Sequence, residues 1–183
     1  MKLHHTTLGE ISKNNKGTYG IGAPAVNFDK HLPTYLRITD INDDGTINKS
    51  GLKSINDDNS SKYYLKSGDI VFARTGNSTG KNYYYDSRDG SLVYAGFLIR
   101  FHINESELVF PKFIKYFAQS NVYWGWVNGF NNGSTRGNIN AQTFSRMPIT
   151  LPHKEYQKKA VHLLEILEDK IRINNKINDN LVA

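Results

Sequence analysis

A chain of 183 residues is long enough for one domain with its own core plus an appendage, and short for two domains. Its 23 Lys and Arg against 17 Asp and Glu leave a net charge of +6, which favours a polyanionic partner. The absence of Cys excludes disulfide scaffolds, thiolate zinc sites and thiol nucleophiles. The segment Met1 to Thr7 lacks the apolar run of a signal peptide, and no uninterrupted apolar stretch is long enough to cross a bilayer, so a soluble, cytoplasmic protein is expected.

The first thirty residues read as loop, punctuated by Gly17, Gly20, Gly22 and Pro24. Tyr35 to Ile41 alternates apolar and polar side chains and predicts a strand, followed by a turn at Asn42-Asp43-Asp44-Gly45. That turn imitates the first half of a calcium loop through Asp40, Asn42, Asp44 and Gly45. The twelfth position, however, is Gly51 where a bidentate Glu belongs, and a hairpin turn fits better.

Ser67-Gly68-Asp69 is a turn signal, and Ile70-Val71-Phe72-Ala73 after it predicts a buried strand. The strand delivers the loop Arg74-Thr75-Gly76-Asn77-Ser78-Thr79-Gly80-Lys81, which carries cations, hydroxyls, an amide and glycines, and no acid. Such a loop on a rigid strand suits phosphate and base-edge contact; the plainer alternative is an ordinary polar hairpin loop. Asn82 to Asp86 and Ser91 to Phe101 are further β-prone segments.

Pro111 is placed to open a helix with Phe113, Ile114 and Phe117 on its apolar face and Lys112 and Lys115 on the other. Trp124, Trp126 and Phe130 interleave with glycines; core packing is the commoner role for such aromatics, and base stacking the rarer one. A second polar loop, Asn131 to Asn138, repeats the composition of the first. Asn140 caps a helical turn over Ala141 to Arg146, and Met147 to Pro152 is an extended link because each proline disfavours helix before it.

From Lys154 to Leu181 no Gly or Pro interrupts the chain, which predicts one helix of roughly 42 Å. Ala160, Leu164, Leu167, Ile171, Asn174, Asn178 and Leu181 follow alternating spacings of four and three, a heptad seam for dimerisation. The alternative is a helix folded back along its own domain. Asparagine matching leans slightly toward a parallel pair. Antiparallel packing instead keeps two attached domains apart by more than one turn of B-DNA, about 34 Å.

Enzyme motifs fail on inspection. Gly76 to Lys81 has one residue too few between its glycines for a phosphate-binding loop, and Asn82 stands where Ser or Thr would bind magnesium. The prolines are never adjacent, as an amino-methyltransferase motif would require, and none precedes Asp, as in a common nuclease core. The histidines show no metal-ligand spacing beyond the adjacent His4 and His5. No catalytic or metal-binding residue is therefore assigned.

Tyr35 to Ile41, then Leu65-x-x-Gly68-Asp69-Ile70-Val71-Phe72-Ala73-Arg74-Thr75-Gly76 through Lys81, resembles the target recognition domain of type I restriction-modification specificity subunits. Gly133-Ser134-Thr135 leading to Asn138-Ile139-Asn140, and Met147 to Pro152, is similar to that family's exit from the domain. The family's Pro-x-x-Glu-Gln opening of a helical spacer is seen here as Pro152-His153-Lys154-Glu155-Tyr156-Gln157, with Tyr156 inserted.

The resemblance implies an α+β fold: a small mixed α/β recognition domain over residues 1–150, then a long spacer helix over 151–183 that pairs as an antiparallel coiled coil. It implies double-stranded DNA as ligand and a methyltransferase subunit as partner, with a restriction/translocase subunit in the full complex. It also implies no cofactor on this chain, because S-adenosylmethionine would bind the methyltransferase subunit. Complete members carry two recognition domains and two helices, so this chain is expected to act as half a specificity subunit, as a homodimer or with another half. Candidate DNA contacts are Arg74, Thr75, Asn77, Ser78, Thr79, Lys81, Ser134, Thr135, Arg136 and Asn138. The rival readings are a nucleic-acid-processing enzyme and a helical protein-interaction adaptor.

Overall fold

The structure, a computed structural model, describes residues 3–130 and 137–182. Its strands are β1 (Leu3–Thr7), β2 (Thr18–Tyr19), β3 (Val26–Asn27), β4 (Thr34–Leu36), β5 (Lys53–Ser54), β6 (Asp69–Ala73), β7 (Asn82–Tyr84), β8 (Leu92–Tyr94), β9 (Leu98–His102) and β10 (Pro148–Pro152). Its helices are α1 (Phe113–Phe117), α2 (Asn121–Asn128), α3 (Ala141–Ser145) and α4 (Lys154–Val182).

The apolar run after Gly68 forms β6 as expected, and every residue of it is buried. It lies inside a sheet of order β2-β9-β6-β7, with Asp69 opposite His102, Ala73 opposite Leu98 and Val71 opposite Tyr83. Ile70 and Phe72 point into one core with Ile114, Tyr123, Val127, Phe144 and Ile149, where the Phe72 and Phe144 rings stack at 4.9 Å. Val71 and Ala73 point the other way, into a second core with Leu36, Leu92, Tyr94 and Leu98. The second core is closed by a sheet of order β3-β5-β4-β8, in which β4 and β8 run parallel.

Three local expectations change. The strand expected over Tyr35–Ile41 stops at Leu36, because the Asp40 carboxylate takes the Arg37 backbone N–H at 2.8 Å and the Arg37 guanidinium at 2.6 and 2.9 Å. That pairing winds Ile38–Asp40 into a 3-10 turn. The segment Ser91–Phe101 bends at Ala95, whose carbonyl accepts from Leu98 N–H, and divides into β8 and β9 on different sheets. The loop-rich start contains β1, paired along its length with β10, so Met147–Pro152 is a strand as well as a link.

Other expectations hold. The Asn42–Gly45 turn closes through Asn42 N–H to Thr46 O at 2.9 Å, with Gly45 at φ +76. Its acids serve the protein itself, Asp40 on Arg37 and Asp44 on Thr46. The Asn140 side chain caps α3 through Thr143 N–H at 2.8 Å. Trp124 and Trp126 pack against the first core; Phe130 lies 4.8 Å from Trp126 and is 42% exposed.

The long helix divides its length. Its first turns dock at home: Val161 is buried against the domain, and Gln157 is fully buried. The Gln157 amide accepts from Phe110 N–H at 2.9 Å and donates to Leu108 O and Pro152 O, each at 2.8 Å. Lys112 and Lys115, the polar face expected of α1, pair with Glu165 and Glu168, and Arg88 reaches Asp169. Every described side chain from Asp169 onward is exposed. Leu164, Leu167, Ile171, Asn174 and Asn178 face away from the domain, with Ala160 at the seam's half-buried start; Leu181's side chain lies outside the described residues. Leu163, Ile166, Ile173 and Ile177, each at least half exposed, form a second apolar stripe beside that seam. The folded-back reading thus holds for the root of the helix, and the domain leaves the rest of its described length uncovered.

Replacing Gln157 by Ala leaves part-buried backbone groups at Phe110, Leu108 and Pro152 without their partner, each worth about 1 kcal/mol, the low end for an unsatisfied group. The expected loss is about 3 kcal/mol of unfolding free energy, seen as a lower urea midpoint at constant slope. An unchanged midpoint would show that the amide does not hold the helix.

Candidate nucleic-acid interface

β6 ends at Ala73, and the chain returns as β7 from Asn82, so Arg74–Lys81 is a hairpin loop on a fully buried strand. Its neck is closed by Ala73 N–H to Lys81 O at 2.8 Å and Gly80 N–H to Ala73 O at 2.9 Å. Gly80 sits at φ +89, and a Cβ there would fall 2.6 Å from Val127, so only glycine fits. The Tyr123 hydroxyl donates to Gly80 O at 2.5 Å. Burial raises that hydroxyl's pKa, which keeps it a donor at neutral pH. Asn82 extends the clamp, donating to Ala118 O at 2.7 Å and accepting from the Gln119 amide at 2.9 Å.

The second polar segment returns beside the first. Thr75 and Asn138 form an antiparallel bridge, and Ile139 N–H donates to Arg74 O at 2.9 Å. The Thr79 hydroxyl lies 2.7 Å from Gly76 O and 2.9 Å from Gly137 O. It is buried and serves as the pin between the two segments. Asn77 and Asn138 are exposed, while Arg74, Thr75 and Ser78 are half-buried. Lys81 is held by Asp43 at 2.9 Å, and because Asp43 is 89% exposed that pair is cheap to open. Ser134, Thr135 and Arg136 lie outside the described residues.

Arg74 is itself partly enclosed. Its guanidinium sits 5.2 Å over the Tyr19 ring, and its Nε is buried with no acceptor among the described residues. Its backbone N–H donates to Phe97 O at 3.1 Å. Tyr19 and Phe97, 42% and 58% exposed, therefore flank the loop as large apolar surfaces. The sequence reading missed both, since each is a lone aromatic near glycines with no periodic neighbour to mark it. Among the described residues no group of three or more His, Asp or Glu is placed to hold a metal ion. No described helix is long and apolar enough to cross a membrane.

The profile of the type I restriction modification DNA specificity domain matches residues 5–183. The chain belongs to that family. It is 25% identical over 184 residues to the type I restriction enzyme HindI specificity subunit of Haemophilus influenzae, across 96% of this chain and 37% of that protein. The fold is shared with the HsdS subunit of Thermoanaerobacter tengcongensis, at TM-score 0.65 and 19% identity over 96% of this chain and 44% of that one. It is also shared with the type I restriction-modification S subunit of M. genitalium, at TM-score 0.57 and 14% identity over 96% and 41%. The chain thus spans less than half the length of these relatives.

Proposed function

We propose that this specificity-family chain reads one half-site of double-stranded DNA and holds a methyltransferase subunit on it, itself contributing no catalytic group. One observation carries the DNA reading. Two polar, glycine-rich segments far apart in sequence are bridged at Thr75–Asn138 beside an arginine whose Nε has no acceptor among the described residues. An Arg so oriented suits a bidentate contact to guanine or a grip on phosphate. S-adenosylmethionine belongs to the methyltransferase partner, a restriction/translocase subunit joins in the full complex, and the assembly works in the cytoplasm.

The exposed helix face supplies the partner surfaces. The seam Ala160, Leu164, Leu167, Ile171, Asn174, Asn178 and Leu181 pairs with a second copy. The pair is antiparallel, because the helix root is tied to its own domain by Gln157 and the Lys112 and Lys115 ion pairs. A parallel pair would crowd both domains at that root. The second stripe, Leu163, Ile166, Ile173 and Ile177, leaves apolar surface for the methyltransferase subunit.

Arg74→Ala is expected to weaken DNA binding by about 1–3 kcal/mol, selectively for the target if Arg74 meets a base and across all sequences if it meets phosphate. Gel-shift titration of target and random duplexes checks this, and unchanged binding with an intact circular dichroism spectrum would remove Arg74 from the interface.

The purified chain is expected to transfer no methyl group, and to confer sequence-specific methylation on its methyltransferase subunit when the two are mixed. Methylation by the isolated chain would overturn the non-catalytic reading.

Leu167→Asp together with Ile171→Asp is expected to turn a dimer into a monomer in light scattering. A wild-type chain that is monomeric both free and on DNA would defeat self-pairing.

A further inference from the structure

Away from the Arg74 loop, the chain leading into β2 builds a second cationic feature. Lys13, Asn14, Lys16 and Thr18 face Arg100 and His102 across a cleft of about 50 Å³. A water needs about 10–15 Å³ of such space. The cleft therefore admits a few waters or one tetrahedral oxyanion, and excludes a base.

The backbone is shaped to hold it. Asn14 and Asn15 take left-handed conformations, φ 60 and 53, which only short polar side chains adopt readily. A Cβ at Gly17 would fall 2.6 Å from Ile99 and from the Phe101 ring, so glycine is what lets this segment lie tight on β9. The β2–β9 register then sets Thr18 opposite Arg100.

The charge is one-sided. Beneath the cleft, Asp69, 1% exposed, lies 2.9 Å from His102 Nδ1 and 3.9 Å from Arg100 Nη1, and accepts from Lys66 N–H at 2.8 Å. That single carboxylate stands against Lys13, Lys16 and Arg100, and no ion pair engages either lysine among the described residues. The Arg100 guanidinium is set in place 5.4 Å over the Tyr94 ring, whose hydroxyl is 3.1 Å from Thr18 Oγ1. Its Nε is nevertheless buried with no acceptor among the described residues. A buried N–H without an acceptor is costly, and a small turn of the guanidinium, which is 24% exposed, would bring it to an anion in the cleft.

We propose that this cleft is a phosphate subsite, with Arg100 as the fixed donor and Lys13 and Lys16 as its mobile cations. The identity of the phosphate rests on the DNA reading above. Arg74 is bonded to Phe97, three residues along the chain from Arg100, or roughly 10 Å at strand spacing. Duplex DNA carries a charge for about every 1.7 Å of axis. Strand alternation sets Arg74 and Tyr19 on the sheet face of Phe72 and Ile99, and Thr18 and Arg100 on the face of Val71 and Tyr94. A duplex on the loop would therefore bring phosphates to the cleft only by passing along the β2 edge. The same chemistry would accept free inorganic phosphate.

The test uses the full chain and two variants. Lys13→Ala with Lys16→Ala removes exposed cations, and Arg100→Lys keeps a charge beside Asp69 while removing Nε. Binding to a short random-sequence duplex is measured across salt concentration, and Tm is measured in sodium phosphate against sodium chloride at equal ionic strength. A contact to backbone phosphate predicts that the double variant lowers the salt slope by about two and that Arg100→Lys weakens binding several-fold. An unchanged slope, with phosphate raising the wild-type Tm and not that of the variants, assigns the cleft to free phosphate. An unchanged slope with no phosphate-specific rise in Tm overturns the subsite. If the wild-type chain binds no DNA, the DNA reading fails by itself and the phosphate titration alone decides the cleft.

Discussion

The structure depends on one strand that is buried on both faces. Ile70 and Phe72 belong to one core, and Val71 and Ala73 to the other, so five consecutive residues of β6 are closed to solvent. Both strand edges are paired as well, to β9 and β7. A strand enclosed in this way can change neither register nor face without emptying a core, because a slip of one residue exchanges its two sides. Its ends are then the only places where the chain can reach the surface, and they do so at fixed positions. Asp69 marks one end, beneath the cationic cleft, and Arg74 the other, at the head of the loop that runs to Lys81.

That rigidity passes into the loop through contacts that are themselves buried. Tyr123 on Gly80, Asn82 on Ala118 and Thr79 between Gly76 and Gly137 each spend a polar group on holding backbone. Ordering a loop on binding subtracts from affinity, so a loop ordered beforehand keeps more of the contact energy. Asn77 and Asn138 are left exposed, and Arg74 is left half-buried over Tyr19 with its Nε unsatisfied among the described residues. The division of labour is chemical. Residues of the same type, such as exposed Asn77 and buried Asn82, end up on opposite sides of it.

The helix follows the same logic at larger scale. Its root is tied by a buried glutamine whose amide makes three hydrogen bonds, and ion pairs to α1 fix its direction. Beyond Asp169 its described apolar side chains, Ile171, Ile173 and Ile177, stay exposed. Fourteen residues, Asp169–Val182, extend roughly 21 Å as a helical arm. A directed root with an uncovered arm is suited to setting a distance between bound bodies.

Much of this was legible in the sequence. The turn at Ser67-Gly68-Asp69 and the apolar run after it mark β6, the absence of Gly and Pro marks α4, and Asn140 marks the start of α3. Each signal is local: a residue's own backbone preference, or a period of two or 3.6. What tertiary structure alone decided involves partners distant in sequence. β1 looks like loop until β10 pairs with it, 145 residues away at His5 and Thr150. Tyr35–Ile41 looks like strand until the Arg37–Asp40 pair curls its second half. The heptad spacing was visible, but the docking of Gln157 depends on where the Leu108–Phe110 backbone lies. Thr79 reads as a contact residue by composition and as a pin by position. The reach of Arg74 over Tyr19, and the meeting of Lys13, Lys16 and Arg100, likewise arise only when β2 is laid against β9. Periodicity records which side chains require burial or solvent; packing of the whole chain decides what each one meets there.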